Sequence, residues 1–397
     1  MNLHVPRGFK FGGVHCGIKL DASREDLSLI VADAPCVAAG VYTQNLVYAA
    51  PVAVDRRRTP ADHIRVVVTN SGNANACTGP RGERDAEEMC RLAAEAVGAR
   101  AEQALVMSTG IIGKFLPMDR IAAGVRAAAA QLGDSPESFL AAARGITTTD
   151  KSHKVASREL RAAGQTWHVT GMAKGAGMIG PNMATLLAVV LTDAALTVSD
   201  AQAALVAAVT DSFNCISVEG HTSTNDTLLL LASGAGSDRP LGGAALGEFG
   251  GVLRDVCIDL ARQIADDGEG ASHLITIDVE GCATRQDAFR IAKTVAESAL
   301  VKTAIAGADP NWGRIVSAAG YAGVRFDPAR LQLRLNGTLL FRDGAPVAFD
   351  APAVSRSLRE NRETQVVLQL VEGAARVRFW TSDLNEKYVK FNADYHT

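Results

Sequence analysis

Apolar residues come along this chain in short runs, closed off by clusters of glycine, asparagine and serine, and separated by stretches of helical spacing. The run at 66–69 ends in a turn-rich loop over 70–75, whose amides and glycine suit close approach of a small molecule. From 83 to 97, Met89, Leu92, Ala93 and Val97 recur on one helical face. A strand at 105–107 follows and ends in Ser108-Thr109-Gly110, with helices expected over 118–132 and 135–143. The runs 186–191 and 227–231 are continuously apolar, as strands buried on both faces are. Between them, Ser199 as N-cap with Gln202 three residues on predicts a helix reaching about 213. A strand at 274–279 and a helix over 285–300 come next. A hairpin at 332–341 turns on Asn336-Gly337, a pair that supplies the two positive φ angles of a type I′ turn. Strands at 365–370 and 376–380 are expected to close the chain as a pair. Buried strands covered by helices predict an α/β (α+β) protein.

Composition narrows the class. The 397 residues are about two to three domains' worth, and 47% hydrophobic with 21% charged is ordinary for a globular enzyme. No apolar run approaches the ~18–20 residues of a membrane span, and the first nine residues lack the basic-then-apolar layout of a secretion signal. A cytoplasmic protein is expected. A net charge of −3, with no basic cluster beyond Arg56, Arg57 and Arg58, argues against nucleic acid or an anionic membrane as partner. Seven cysteines, an odd number without C-x-x-C spacing, suit a reducing compartment and free thiols. Cys77 and Cys215 lie in polar loops where either could be a nucleophile, although a lone cysteine is more often a small core residue. The histidines show neither H-x-x-x-H nor H-E-x-x-H, so no metal and no resident cofactor are expected.

The chemistry concentrates in residues 174–185, Lys-Gly-Ala-Gly-Met-Ile-Gly-Pro-Asn-Met-Ala-Thr, which run straight into the strand at 186–191. A threonine at the border between a glycine-rich loop and a buried strand, preceded by the small Ala184, suits a chain that cuts itself. The Thr185 hydroxyl can attack the Ala184 carbonyl, and hydrolysis of the ester leaves Thr185 as a new N-terminus. Its α-amine, with a reference pKa of about 7.7–8.0, can deprotonate the hydroxyl near neutral pH. Two plainer readings compete. Gly175, Gly177 and Gly180 match G-x-G-x-x-G, but a dinucleotide site needs the third glycine to open a helix, and Pro181-Asn182 and strand sequence follow instead. The segment also reads as an ordinary glycine loop entering a core strand, as Thr109-Gly110 reads, taken alone, as a plain strand-to-helix connection.

Further polar loops stand at 70–75, 108–110, 147–150, 219–226, 266–270, 308–314 and 391–397. Together with 174–185 they resemble the ornithine acetyltransferase family over essentially the whole chain. The resemblance implies self-cleavage at Ala184–Thr185 into an alpha segment, 1–184, and a beta segment, 185–397, which fold together, with a structural boundary near 270. It implies Thr185 as nucleophile, Thr109 and Gly110 as oxyanion hole, and substrate contacts at Thr148, Lys174, Thr185, Glu269, Asn392 and Thr397. The fold it implies is a layered helix–sheet–sheet–helix sandwich similar to self-processing amidohydrolases, assembled as a heterotetramer of two alpha and two beta segments. The activity it implies moves acetyl from N2-acetyl-L-ornithine to L-glutamate by a ping-pong route through acetyl-Thr185, in the cyclic pathway of arginine biosynthesis, with acetyl-CoA as a possible second donor. Lys174 could pair with a substrate α-carboxylate and Glu269 with the ornithine ammonium. Two other classes remain: an N-terminal-threonine aminopeptidase or amidase of similar fold, which hands its acyl group to water, and a non-catalytic ligand-binding relative. Gly180 and His221 depart from the family's usual Ala and Asp, which bears on rate rather than reaction type.

Overall fold

The apolar runs sort into two sheets in the computed structural model, which describes residues 3–162, 164–180 and 186–394. The strands are β1 (Phe9–Val14), β2 (Leu27–Tyr42), β3 (Ala61–Asn73), β4 (Ala104–Ile111), β5 (Lys154–Ala162), β6 (Gln165–Lys174), β7 (Leu187–Thr192) and β8 (Ile216–Ser217). They continue with β9 (Thr227–Ala232), β10 (Leu274–Cys282), β11 (Gln332–Leu335), β12 (Thr338–Arg342), β13 (Ala345–Pro346), β14 (Glu363–Gln369) and β15 (Ala375–Ser382). The helices are α1 (Ala50–Arg58), α2 (Gly79–Ala96), α3 (Met118–Ala130), α4 (Pro136–Gly145), α5 (Val198–Thr210) and α6 (Gly243–Asp266). They are followed by α7 (Arg285–Glu297), α8 (Ala299–Ala306), α9 (Trp312–Gly320), α10 (Ala351–Glu360) and α11 (Glu386–Asp394). The first sheet runs β4-β3-β2-β9-β7-β6-β5, with β1 on β2, and the second runs β13-β12-β11-β14-β10-β15-β8. The mixed α/β class expected from the sequence is thus a two-sheet protein.

The central strands explain their own sequence. Every residue of β7 and β9 is buried, because each strand has neighbours on both sides and packing on both faces. Ala188, Val190, Leu228 and Leu230 face a core that holds Leu205 of α5 and Leu253 and Leu260 of α6. Val189, Leu191, Leu229 and Leu231 face the other way, onto Phe9, Phe11 and Phe139. The helix α6 packs on β5 and β6 and also touches β15, and α7 covers β10 and β15. The larger core therefore draws on both sides of position 184, from Trp167 and Val169 to Leu230, Ile277 and Phe379. Each such side chain contributes roughly 1.5–3 kcal/mol on burial, so the two segments are held together by packing as well as by the chain.

Local details depart from the sequence pattern in three places. The N-cap of α5 is Thr197, whose Oγ1 accepts from the Asp200 amide at 3.1 Å, rather than Ser199, and the helix stops at Thr210. The expected helix over 285–300 breaks at Ser298, which leaves helical geometry and caps α8 instead. The strands near 365–370 and 376–380 do not pair with each other, because β10 lies between them, parallel to β14 and antiparallel to β15. The hairpin turn is as expected, with φ of 47° at Asn336 and 82° at Gly337. All seven cysteines are free. No helix among the described residues is long and apolar enough to cross a membrane.

Candidate active site

Five strand ends meet at one edge of the first sheet. The parallel pair β3 and β4 carries Ser71 beside Thr109 and Gly72 beside Gly110. There the backbones touch: Gly110 has φ of 131°, and a Cβ on it would lie 2.3 Å from the Gly72 carbonyl carbon. Only glycine fits that turn. At the same edge β6 ends at Lys174, which pairs with Leu187, the first residue of β7, and Leu187 pairs in turn with Thr227 of β9. The connection from β6 to β7 is therefore the segment that bears the Ala184–Thr185 junction. Ala184 and Thr185 themselves, and Thr397, lie outside the described residues.

The remaining sequence-derived site residues come together. Thr109, Gly110, Thr148, Lys174, Glu269 and Asn392 line one cleft of about 190 Å³. The buried Lys174 Nζ donates to Thr109 Oγ1 at 3.3 Å. Burial pulls the Lys174 ammonium below the usual lysine range, and the nearby Asp150 opposes that pull. Glu269 holds three strands of chain together: it accepts from Thr149 Oγ1 at 2.7 Å and from Asn392 Nδ2 at 3.1 Å, and its amide donates to the Ala176 carbonyl at 2.9 Å. Gly177 makes this possible, since a Cβ there would sit 2.3 Å from Glu269 Oε2. Thr148 lines the cleft, but it is its neighbour Thr149 whose hydroxyl meets Glu269.

Several supporting residues had no role assigned from the sequence, although all but Lys154 lie in the polar loops it marks. Asp150 is fully buried from its side chain outward and is satisfied on all sides. Its carboxylate accepts from Lys154 Nζ at 2.6 Å, the Gly175 amide at 2.7 Å and the Thr148 amide at 2.8 Å. Burial works against that charge, yet Lys154 and Lys174 hold the carboxyl well below the usual carboxylate range. Lys154 continues to Asp267 at 2.6 Å, two residues before Glu269. Asn225 Nδ2 donates to the Ala74 carbonyl at 2.6 Å and the Ser108 carbonyl at 2.8 Å, tying the loop after β3 to β4. Asp226 Oδ1 accepts from the amide of Leu186, the residue after Thr185, at 3.0 Å. Burial pushes the Asp226 carboxyl well above its ordinary value. Glu219, another cleft residue, is likewise pushed up, to about 8. Spacing could not mark these, because each acts through a partner far away in the chain.

Other nucleophiles and ligands fare worse. Cys215 is buried, which pushes its thiol up to about 12, and Cys77 is exposed and outside the cleft. His4, Glu159 and His168 gather on the β5–β6 ribbon away from the cleft. The two imidazoles stack, with centroids 5.1 Å apart and planes 18° apart.

The whole chain has known counterparts. Residues 10–397 match the ArgJ family. The chain is 47% identical to the arginine biosynthesis bifunctional protein ArgJ of Rhodopirellula baltica, over 99% of this chain and 96% of that one. It is 50% identical to the protein of the same name from Symbiobacterium thermophilum, over 99% and 98%. Among solved structures it is similar to the arginine biosynthesis bifunctional protein argJ of Bacillus halodurans, with a TM-score of 0.50 and 37% identity over 51% of this chain and 96% of that chain. With a family match that spans all but its first nine residues and relatives of near-equal length, this chain belongs to the ArgJ family.

Proposed function

We infer that this protein is an ornithine acetyltransferase that cuts itself between Ala184 and Thr185 and carries acetyl on Thr185 from N2-acetyl-L-ornithine to L-glutamate. One observation carries the reading: six residues spread from 109 to 392 line a single cleft, and the strands that flank the Thr185 segment begin and end there, at Lys174 and Leu187. The Bacillus halodurans chain adds support, since 96% of it is matched by only 51% of this chain, as a polypeptide divided near its middle would be. The assembly of two alpha and two beta segments rests on the family resemblance.

The cleft suits each step. The free α-amine of Thr185 takes the proton of its own hydroxyl, and Oγ adds to the acetyl carbonyl of acetylornithine. Lys174 donates into Thr109 Oγ1, which leaves the Thr109 proton free to point into the cleft. In this reading that O–H and the Gly110 N–H stabilise the oxyanion. The C–N bond breaks, the proton passes to the leaving ornithine amine, and acetyl remains as an ester on Thr185. Glutamate then adds through its neutral amine and gives a proton to the α-amine; the ester C–Oγ bond breaks as that proton returns to Oγ, and N-acetylglutamate leaves. Lys174 also offers a charge for the α-carboxylate that both substrates share. A hydrolase would hand the acetyl group to water. Anchoring of Glu269 by Thr149 and by Asn392 of α11 favours instead a cleft that holds an amino acid.

The test is mass spectrometry of the mature protein mixed with acetylornithine alone. The fragment that begins at Thr185 should gain about 42 Da while ornithine is released. Absence of both the adduct and ornithine release until glutamate is added would replace the acetyl-enzyme by a ternary complex, and ornithine release with free acetate and no adduct would point to hydrolysis.

A further inference from the structure

The cleft contains a second carboxyl that the mechanism does not use. Glu219 precedes Gly220 and His221 in the loop before β9, and it lines the same cavity as Glu269, Lys174 and Thr109. The two acids differ in how they are held. Glu269 is committed, one oxygen to Thr149 and the other to Asn392. Both oxygens of Glu219 are buried, and neither makes a hydrogen bond of full geometry among the described residues, although the amides of Ile179 and His221 lie close enough to act on the carboxyl. A buried polar group so weakly satisfied is costly, and one on the wall of a cleft points to a ligand that completes it.

The substrates pose a matching problem. Ornithine ends in an ammonium and glutamate in a carboxylate, on side chains of similar reach. A fixed charge that pairs with one repels the other. We propose that Glu219 lets one cleft take both: as a carboxylate it pairs with the ornithine ammonium, and as a carboxylic acid it donates a hydrogen bond to the glutamate side chain. The inference rests on the acetyltransferase reading of this site and adds how its two substrates share it. Exchange of ornithine for glutamate then takes up one proton from solvent at Glu219.

The surroundings keep Glu219 balanced between the two states. Burial pushes its carboxyl up to about 8, and Glu269 adds to the rise, while Lys302 and the amides of Ile179 and His221 oppose it. Lys302, on α8, is turned away into the Val218 carbonyl and Thr381 Oγ1. Its charge acts first on Glu219 and then on Asp383 and Glu297, and Glu297 is itself paired with Lys293 at 2.9 Å. From α11, Tyr388 is pushed up to about 12 by burial and by the two glutamates, so it enters as a neutral phenol. His221 is exposed beside the loop. Among the described residues no cation reaches the carboxyl within ion-pair distance, so the incoming ligand decides its state.

The experiment is calorimetric binding of ornithine and of glutamate to the mature protein between pH 7 and 9, in buffers of different ionisation enthalpy. A carboxyl titrating at about 8 should weaken ornithine binding roughly tenfold at pH 7 relative to pH 9 and glutamate binding roughly tenfold in the other direction. The ratio of the two dissociation constants should therefore change by about 100-fold across this range. The α-amines and Thr185 are common to both measurements and cancel in that ratio. At pH 8 glutamate should bind with proton uptake and ornithine with proton release. In Glu219→Gln, which keeps a donor and loses the charge, the ratio should vary less than about threefold and ornithine should be the ligand weakened. A flat ratio in wild type, equal proton counts for the two ligands, or an equal loss of both in Glu219→Gln overturns the proposal, and the wild-type measurement decides it even if the variant does not fold. Acetyl transfer is assayed on the same sample: transfer with a flat ratio refutes this inference alone, whereas absence of transfer and of binding refutes the functional reading beneath it.

Discussion

Replacing Thr109 by alanine tests the oxyanion hole proposed for the cleft. The side chain is buried, and its Oγ1 accepts from Lys174 Nζ at 3.3 Å, so its single proton is directed elsewhere. Removing one such donor costs about 2.7–4 kcal/mol of transition-state stabilisation, or roughly 10²–10³ in kcat. The lower end is expected here. Deleting Oγ1 and Cγ2 leaves space comparable to one water, whose share of liquid volume is about 30 Å³, and a water hydrogen-bonded to Lys174 supplies part of the lost donor. The expected result is a fall of about 10² in kcat with KM changed less than about threefold. Thr109→Ser, which keeps the hydroxyl, should recover to within about tenfold of wild type. Self-cleavage passes through a similar oxyanion and should slow too, so kcat must be referred to the amount of free N-terminal threonine. Unchanged kcat in fully cleaved Thr109→Ala, a loss carried wholly by KM, or a serine variant as impaired as the alanine one would remove Thr109 from the oxyanion hole.

Four other outcomes are expected. Wild type should purify as two fragments of roughly 19 and 22 kDa, scaling the 41.6 kDa chain by length, and Thr185→Ala should stay whole; an active, uncut wild type on a denaturing gel would refute self-cleavage. Asp150→Asn removes the counter-charge of two buried lysines and should cost about 3–5 kcal/mol in urea unfolding. Because the folded-state carboxyl is held low, that contribution is complete above the ordinary carboxylate value of about 4 and is lost as pH falls through and below it, so the gap between wild type and variant should close in acid; a gap independent of pH would contradict the pairing. Gly180→Ala places a Cβ 2.7 Å from the Gly220 carbonyl carbon and should cost about 1–3 kcal/mol, with slower cleavage of the precursor as read by a gel time course; unchanged stability and cleavage would mean that the 219–221 loop gives way freely. N-acetylglutamate should form more slowly from acetyl-CoA than from acetylornithine, with both rates lowered in cleaved Thr109→Ala; a response of only one donor route would separate the two reactions.

The central fold was legible because its cause is local. A strand packed on both faces has to be apolar throughout, and β7 and β9 are. Asn336-Gly337 similarly encodes a turn that few other pairs can make. Where two local solutions compete, the pattern fails. Thr197 with Asp200 and Ser199 with Gln202 both satisfy an N-terminal cap, and only packing of α5 selects the first. The apolar periodicity continues through Ser298, whose side chain ends one helix and caps the next without any glycine or proline to announce it. Strand partners are less legible still: nothing in 363–382 says that β10, from nearly a hundred residues earlier, will lie between β14 and β15.

The site divides along the same line. Thr109, Lys174 and Glu269 were legible through the family resemblance of the segments they sit in, whereas the groups that hold them had no role in it. Asp150 and Lys154 are four apart, the spacing of a helical ion pair, yet Lys154 begins a strand, and their third partner, Asp267, is more than a hundred residues away. This division bears on what self-cleavage would do to the fold. The bond at 184–185 belongs to the connection between two antiparallel strands that pair along their length, from Val169 with Thr192 to Lys174 with Leu187. Hydrogen bonds between β6 and β7 do not depend on that connection, and the core on both faces draws on residues from either side of it. A cut there would free an amine one residue before Leu186 while the strand pairing, the Asp150–Lys154–Asp267 network and the Glu269 anchor stay in place. Cleavage would then change the chemistry of Thr185 without requiring the cleft to be rebuilt.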